Sequence, residues 1–435
     1  MLSTTSPRVV VLGSGWGGFA AAKALGSQFD VTVVSPHNHL LFTPLLASTA
    51  VGTLEFRSIT EPVRSLGVHY IKGKCRGVDT DAKTCVCVCV CVCVCVSAIT
   101  PPPLLSRHTL PYDKLVIAFG ARSNTFGIPG VTPENGVSFM KEIKDAHTVR
   151  SKLLRNLEAA TFPCIDRAEQ KRLLSFAVVG GGPTGVEFAS ELYDFLRDDV
   201  PKLFPDLPWK PTITLVEGND ILSSFDGTLR EWTSQRLKRE GIDIVKANVS
   251  AVEPGALHLD NDRTVPFGLC VWSTGIAPRK VVSVLDDEIF AIDTRGRLKT
   301  DAGLRVQAAD GGALPGVYAI GDCAFVAPDG YPATAQVAEQ QALFLAAQLN
   351  KGDDTGDFKY HHKGTLAYTS NWTAVSDFTA LPDSNPARGT TLRGFAAFLV
   401  WRTVYLTKQG SWRNRLLVPA DWLKTFLWGR NVTIM

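Results

Sequence analysis

The chain has 435 residues, of which 45% are hydrophobic and 20% charged, ordinary globular composition with length for two or three domains. Disorder, collagen and a minimal disulfide scaffold are excluded. Against 42 acidic residues stand 45 Lys and Arg, a net charge of +3 that lacks the field of a general nucleic-acid binder, so no nucleic-acid partner is expected.

The charge is unevenly spread. Residues 388–435 hold eight basic residues and one acid, Asp421, which leaves 37 basic and 41 acidic residues in the rest of the chain. Six of the ten cysteines (Cys85, Cys87, Cys89, Cys91, Cys93 and Cys95) lie in one strict Cys-Val alternation, and Cys75, Cys164, Cys270 and Cys323 form no Cys-x-x-Cys pair. The thiols are therefore expected to be reduced, and no metal site is expected. The alternation is what a TGTGTG repeat encodes, so residues 84–111 read as a repeat expansion or a mispredicted exon. In a strand it would put every thiol on one face. No apolar run reaches the ~18–20 residues that span a bilayer. The N-terminus enters a predicted strand at once, so an import signal is not expected within this chain.

In chain order, a β-branched run at Arg8–Leu12, a glycine cluster, the helix-forming Phe19-Ala-Ala-Ala-Lys-Ala-Leu and the strand Asp30-Val-Thr-Val-Val-Ser make a βαβ unit. The order recurs at Phe176-Ala-Val-Val, a glycine cluster, the helix Val186–Leu196 and the strand Thr212-Ile-Thr-Leu-Val-Glu217. Lys114-Leu-Val-Ile-Ala-Phe-Gly120 and Leu269-Cys-Val-Trp-Ser-Thr-Gly275 are buried-strand patterns whose glycine ends are expected to meet ligand. Gly316-Val-Tyr-Ala-Ile-Gly321-Asp322, a helix over Thr334–Leu349, a Gly/Asp linker and a basic aromatic tail complete the chain.

Gly13, Gly15 and Gly18 fit G-x-G-x-x-G between strand and helix. The first allows a tight turn, the second lets backbone approach a pyrophosphate, and the third lets helix and strand pack closely. Gly180, Gly182 and Gly185 repeat the motif. Its second strand ends in Glu217, suited to a ribose 2′-OH and repulsive to a 2′-phosphate, which favours NADH over NADPH. The first unit ends instead in Ser35, so its ribose must be held differently. Two such units in one chain read as FAD plus NADH, with Gly321 and Asp322 at the ribityl and phosphate end of the flavin. The expected fold is α/β with two Rossmann-like domains: FAD-binding at 1–165 and 289–357, NADH-binding at 166–288, and a C-terminal membrane-associating region at 358–435.

Several segments resemble the two-dinucleotide-binding-domain flavoproteins, and within them the type II (alternative, rotenone-insensitive) NADH:quinone oxidoreductases. They are Val33-Val-Ser-Pro-His-Asn-His-Leu-Leu-Phe-Thr-Pro-Leu-Leu, Val179-Gly-Gly-Gly-Pro-Thr-Gly-Val-Glu-Phe-Ala, Ala319-Ile-Gly-Asp-Cys, Ala335-Gln-Val-Ala-Glu-Gln-Gln and Ser411-Trp-Arg-Asn-Arg. The Ser-Pro after the first unit resembles the eukaryotic, fungal-like branch. The resemblance implies that Thr43, Pro44 and Leu45 lie beside the isoalloxazine ring and that Asp322 binds the ribityl chain. It also implies that Glu187 lies near nicotinamide and flavin, with Gln336 and Gln340 at a quinone pocket. The activity implied is FAD-dependent NADH oxidation with two-electron reduction of a ubiquinone-like quinone, at the mitochondrial inner membrane and often as a homodimer. With no spanning run, proton pumping is not expected. The rival readings are an apoptosis-inducing-factor-like or ferredoxin-reductase-like flavoprotein, and a redox-responsive NADH-binding protein. A disulfide reductase would need a cysteine pair soon after the first glycine motif, and the first cysteine is Cys75.

Four of the nine tryptophans (Trp401, Trp412, Trp422, Trp428) fall within residues 388–435. Aromatic and aliphatic side chains with Lys and Arg suit a helix lying in a membrane interface, its cations at anionic headgroups; nucleic-acid binding and a simple dimer interface are the competing readings of this tail.

Overall fold

The computed structural model describes residues 6–89, 106–279, 282, 285, 288–352 and 355–433. The elements that carry the function are, in chain order, β1 (Arg8–Leu12), α1 (Trp16–Leu25), β2 (Asp30–Ser35), β3 (Ser175–Val179), α2 (Pro183–Asp198), β4 (Thr212–Glu217), β5 (Ile242–Lys246), α3 (Ala335–Lys351), α4 (Phe395–Thr407) and α5 (Trp412–Trp428). The chain forms two compact units. The first comprises residues 1–41, 61–122 and 276–361, and the second comprises 42–60, 123–275 and 362–435.

The first unit is built on a ten-stranded sheet in which β1 lies between β2 and Lys114–Ile117, parallel to both, with Ala313–Ala319 beyond the latter, also parallel. Side chains alternate across a strand, so the unbroken apolar run of β1 needs cover on both faces. Val9 and Val11 pack with Phe19 and Leu25 of α1 and Leu345 and Leu349 of α3, while Val10 and Leu12 pack with Leu115, Ile117, Phe290 and Val317 on the other side. An antiparallel hairpin, Thr84–Cys89 with Ser106–Pro111, extends the sheet edge beside His69–Asp79. Here the Cys-Val alternation does what a period of two dictates: the Cys85 and Cys87 thiols are buried with Cys75, and Val86 and Val88 are half-buried. Cys91, Cys93 and Cys95 lie outside the described residues.

The second unit holds a five-stranded parallel sheet in the order Val137–Phe139, Leu269–Trp272, β3, β4, β5. The helix Ile143–Ala160 packs against Val137–Phe139 and Leu269–Trp272, so residues 123–165 belong with this unit rather than with the first, where the sequence boundary had put them. Burial of Val149, Leu153 and Leu157 on one helical face drives that placement. Residues 362–433 add a three-stranded antiparallel sheet, Thr365–Tyr368, Ala374–Asp377 and Thr391–Gly394, followed by α4 and α5. The single interfacial helix expected in the tail is thus two helices on a small sheet. Among the described residues no helix is long and apolar enough to cross a membrane.

Candidate functional site

In the first unit, β1 delivers the chain into Gly13 at φ +121°, a conformation that L side chains rarely adopt. A Cβ at Gly13 would lie 2.2 Å from the Ala118 carbonyl oxygen, and one at Gly18 would lie 2.1 Å from the Gly13 oxygen. At Gly15 a Cβ would meet nothing within 4 Å. Two glycines are therefore demanded by packing and the middle one by access, which is the division of labour a phosphate cradle requires at the N-terminus of α1.

Ser35 is buried, its hydroxyl 2.9 Å from that of Ser14 and accepting the His37 N–H at 3.2 Å. The Ser14 hydroxyl also lies 2.7 Å from the His37 carbonyl oxygen. Ser35 thus braces the loop after β2. Ser14, the first variable position of the glycine motif, is a structural partner that the sequence reading missed.

Gly321 and Asp322 open a single 3-10 turn after the strand Ala313–Ala319, and the Gly321 N–H donates to Gln341 Oε1 at 2.7 Å. Gln341 is buried and fixes that turn from α3. Gln336 and Gln340 share a face of α3, as their spacing predicts, and both engage the segment at 360–361. Tyr360 Oη donates to Gln336 Oε1 at 3.4 Å, while the Gln340 amide both donates to the His361 carbonyl at 2.9 Å and accepts its N–H at 3.0 Å. Gly120 follows Lys114–Ile117 at φ +64°, with open space around its Cβ position.

In the second unit the same cradle recurs. Gly180 has φ +110°, a Cβ at Gly185 would lie 1.8 Å from the Gly180 oxygen, and one at Gly182 would meet nothing within 4 Å. Glu217, at the end of β4, accepts the Gly181 N–H at 2.6 Å and the Asn219 N–H at 3.0 Å. Its carboxylate is held against the glycine loop. Gly275 follows Leu269–Trp272 with φ +67°, and a Cβ there would run into the Phe126 ring at 2.3 Å. Thr43, Pro44 and Leu45 make one 3-10 turn leading into the short helix Leu46–Ala50, with Leu45 fully buried.

Glu187 is buried on α2, where its Oε1 accepts from the Tyr368 N–H at 3.2 Å and from the Trp401 indole N–H at 3.1 Å. Burial pushes its carboxyl up to about 8, against the opposing pull of those two donors. Two further acids lie on the same face. Glu191 accepts from Ser48 Oγ at 2.6 Å and Thr53 Oγ1 at 2.8 Å, and the Arg430 guanidinium stands 3.7 Å away. Asp194 accepts from Tyr368 Oη at 2.6 Å and the Asn371 N–H at 3.0 Å, and burial raises it to about 6. Glu191 and Asp194 were missed in the sequence, where the i, i+4, i+7 spacing from Glu187 on one helix was the signal that could have found them.

Helix α5 is amphipathic in the inverted sense. Its buried face includes polar Asn414 and Asp421. Asp421 accepts from Ser58 Oγ at 2.5 Å and the Glu55 N–H at 3.1 Å, and Asn414 Nδ2 donates to the Thr60 carbonyl at 3.2 Å. Its outer face is apolar: Trp412 is 78% exposed, Leu416 72%, Phe426 67% and Trp428 77%. Some of the tail's cations have internal partners, while Arg388, Arg393 and Lys424 are exposed. Arg430 is buried between Asp199 and Glu191, Arg413 donates to the Thr60 carbonyl, and Arg415 donates to the Gln409 carbonyl. A guanidinium with internal acceptors is no free headgroup ligand, and Arg402 lies over the rings of Trp372, Phe398 and Trp422.

Two glycine cradles with parallel sheets define a flavoprotein of the double dinucleotide-binding class, and residues 7–342 match the family described as pyridine nucleotide-disulphide oxidoreductase. Residues 362–431 match the NDH2 C-terminal domain. The chain is 40% identical to the internal alternative NAD(P)H-ubiquinone oxidoreductase A1, mitochondrial, of Solanum tuberosum, covering 99% of this chain and 88% of that protein. It is 38% identical to the external NADH-ubiquinone oxidoreductase 2, mitochondrial, of Saccharomyces cerevisiae, covering 98% and 82%. The NDH2 of Plasmodium falciparum in complex with NADH superposes with a TM-score of 0.88 at 27% identity, covering 98% of this chain and all of that one. The chain belongs to the type II NADH dehydrogenase family.

Proposed function

We propose that the chain is a peripheral-membrane FAD enzyme of the mitochondrial inner membrane that oxidises NADH and reduces a ubiquinone-like quinone as a homodimer. The observation that carries this reading is the doubled cradle, each with two packing glycines and one glycine open to a ligand, together with a C-terminal module of the NDH2 type. Gly13, Gly15, Gly18, Gly120, Gly321 and Asp322 would hold the flavin nucleotide, with Ser35 bracing the loop beside it and Thr43, Pro44 and Leu45 at the ring. Gly180, Gly182, Gly185, Glu217 and Gly275 would hold NADH. When bound, the flavin accepts hydride from NADH and delivers two electrons to quinone.

The chain's own residues then have three tasks. The glycine loops place the two diphosphates at helix N-termini, where free N–H groups and the dipole favour negative charge. Glu187, raised by burial, holds a proton at neutral pH, and quinone reduction consumes two. Gln336 and Gln340 line the quinone pocket, Gln340 as a positioning residue through the His361 backbone.

The outward apolar side of α5, with exposed Phe395 and Leu399 of α4, is the surface offered to lipid, where the quinone dissolves. Aromatic and aliphatic area would carry the anchoring, with Lys424 and Arg393 among the exposed cations of the tail. The test is an absorbance spectrum of the purified protein with NADH and then a short-chain quinone added in turn. Flavin absorbance that bleaches with NADH and returns with quinone is expected; a folded protein that stays colourless with added FAD overturns the reading.

A further inference from the structure

The coenzyme site proposed at Gly180–Gly185 carries a second acid that the reading above does not use. Asp220, three residues beyond Glu217, lies 2.9 Å from Lys246 Nζ and 3.5 Å from the Arg230 guanidinium. Lys246 ends β5, directly opposite Glu217 in the parallel pairing of β4 and β5, and the Ala247 N–H donates to the Glu217 carbonyl at 3.1 Å. Arg230 belongs to the helix Gly227–Arg239, and its Nε is buried without a hydrogen-bond partner. Glu217, Asp220, Lys246 and Arg230 therefore form a compact, formally neutral group at the strand end where a ribose 2′ substituent would arrive. Asp220 and Lys246 are well exposed, so their pairing is open to substitution without disturbing the core.

We propose that Asp220 is a specificity-determining residue: it occupies Lys246 and Arg230, the two cations that would otherwise stabilise the 2′-phosphate of NADPH beside Glu217. This rests on the assignment of NADH to the second glycine cradle. Glu217 acts by direct repulsion and by accepting the ribose hydroxyl. Asp220 acts through its two partners, so removing either acid alone leaves the other discrimination in place.

The experiment measures NADH and NADPH oxidation by the full-length holoenzyme. Asp220→Asn is expected to raise the NADPH-to-NADH ratio of kcat/KM by about three- to fivefold, chiefly through the NADPH KM, an effect at the upper end of what exposed ion pairs exert. Adding Lys246→Gln and Arg230→Gln should abolish the gain, and raising ionic strength should shrink it. A ratio within about twofold of the parent in both Asp220→Asn and Asp220→Ala, or a gain that survives loss of both cations, overturns the proposal. Glu217→Gln separates the two readings. If it shifts the NADH KM and the ratio while Asp220→Asn does neither, only the role of Asp220 falls. If Glu217→Gln also changes nothing, the coenzyme assignment itself falls.

Discussion

The two strand–glycine loop–helix units put their first and third glycines under the same packing constraint and then diverge at the end of the second strand. In one, Ser35 is buried and tied to Ser14 and to the His37 N–H. In the other, Glu217 holds its charge against the N–H groups of Gly181 and Asn219, beside the exposed pair of Asp220 and Lys246. A cradle closed by a neutral, internally bonded side chain suits a nucleotide that stays. One rimmed by exchangeable charge suits a nucleotide that is selected at every turnover. On the proposed assignment, the common part of each unit would bind diphosphate, and the divergent part would set which nucleotide is bound and how readily it leaves.

The largest effects should come from filling the third glycine. Gly18→Ala puts a methyl 2.1 Å, and Gly185→Ala 1.8 Å, from a backbone oxygen that cannot yield. The two should fail differently: Gly18→Ala purifies with little flavin absorbance, whereas Gly185→Ala keeps the flavin and loses NADH bleaching, with kcat/KM down roughly 100-fold or more. Equal loss of flavin in both variants would break the contrast between the units. Next in size is the outer face of α5. Replacing Trp412, Leu416, Phe426 and Trp428 with Ser removes apolar area that is already in water, so the melting temperature should hold while partitioning onto vesicles falls about 100-fold. Deleting residues 388–435 is the poorer test, because it would strip Glu187 of the Trp401 indole and Glu191 of Arg430.

At the strand end, Glu217→Gln keeps the shape and removes the charge. The NADH KM should rise about tenfold with kcat little changed, and the preference over NADPH should narrow. The same reasoning makes Ser35→Ala informative, since the loss of one buried hydroxyl partner at Ser14 should cost about 1 kcal/mol of stability without altering NADH kinetics.

The glycine cradles were legible in the sequence because strand, turn and helix are local: the steric demand on Gly13 or Gly180 is met within a few residues. Glu187 was singled out through the family resemblance, whereas Glu191 and Asp194 on the same helical face were missed, although their spacing could have pointed to them. Their partners were not. Ser48 and Thr53 reach Glu191 across 143 and 138 residues, and Trp401 reaches Glu187 across 214, so no periodicity could announce them. The tail's composition said how many cations there are and not where they sit: Arg430 pairs internally with Asp199 and Asp421 accepts from Ser58, while Lys424, Arg393 and Arg388 are exposed beside the outward apolar residues. Composition records how many charges a segment has; only packing decides which face they take.

A pH-dependent effect also separates the units, because it belongs wholly to the second. Glu187 is raised to about 8 by burial, well above the ordinary carboxylate range of the unfolded chain, so the native state binds a proton that the unfolded state has released. Its contribution to stability is therefore complete below about pH 4.5 and is lost as pH rises through about 8. Glu187→Gln preserves an oxygen for the Tyr368 and Trp401 N–H groups and cannot ionise. Chemical denaturation should find the parent losing stability between about pH 4.5 and 8 while the variant stays level, so that the variant gains on the parent by roughly 3–5 kcal/mol over that range, whatever fixed cost its extra amide donors carry. The alkaline limb of the quinone-reduction profile should move with it if the same proton serves the reaction. A variant whose stability falls with pH as steeply as the parent's would show that Glu187 is already ionised in the folded enzyme, and that its donors outweigh its burial.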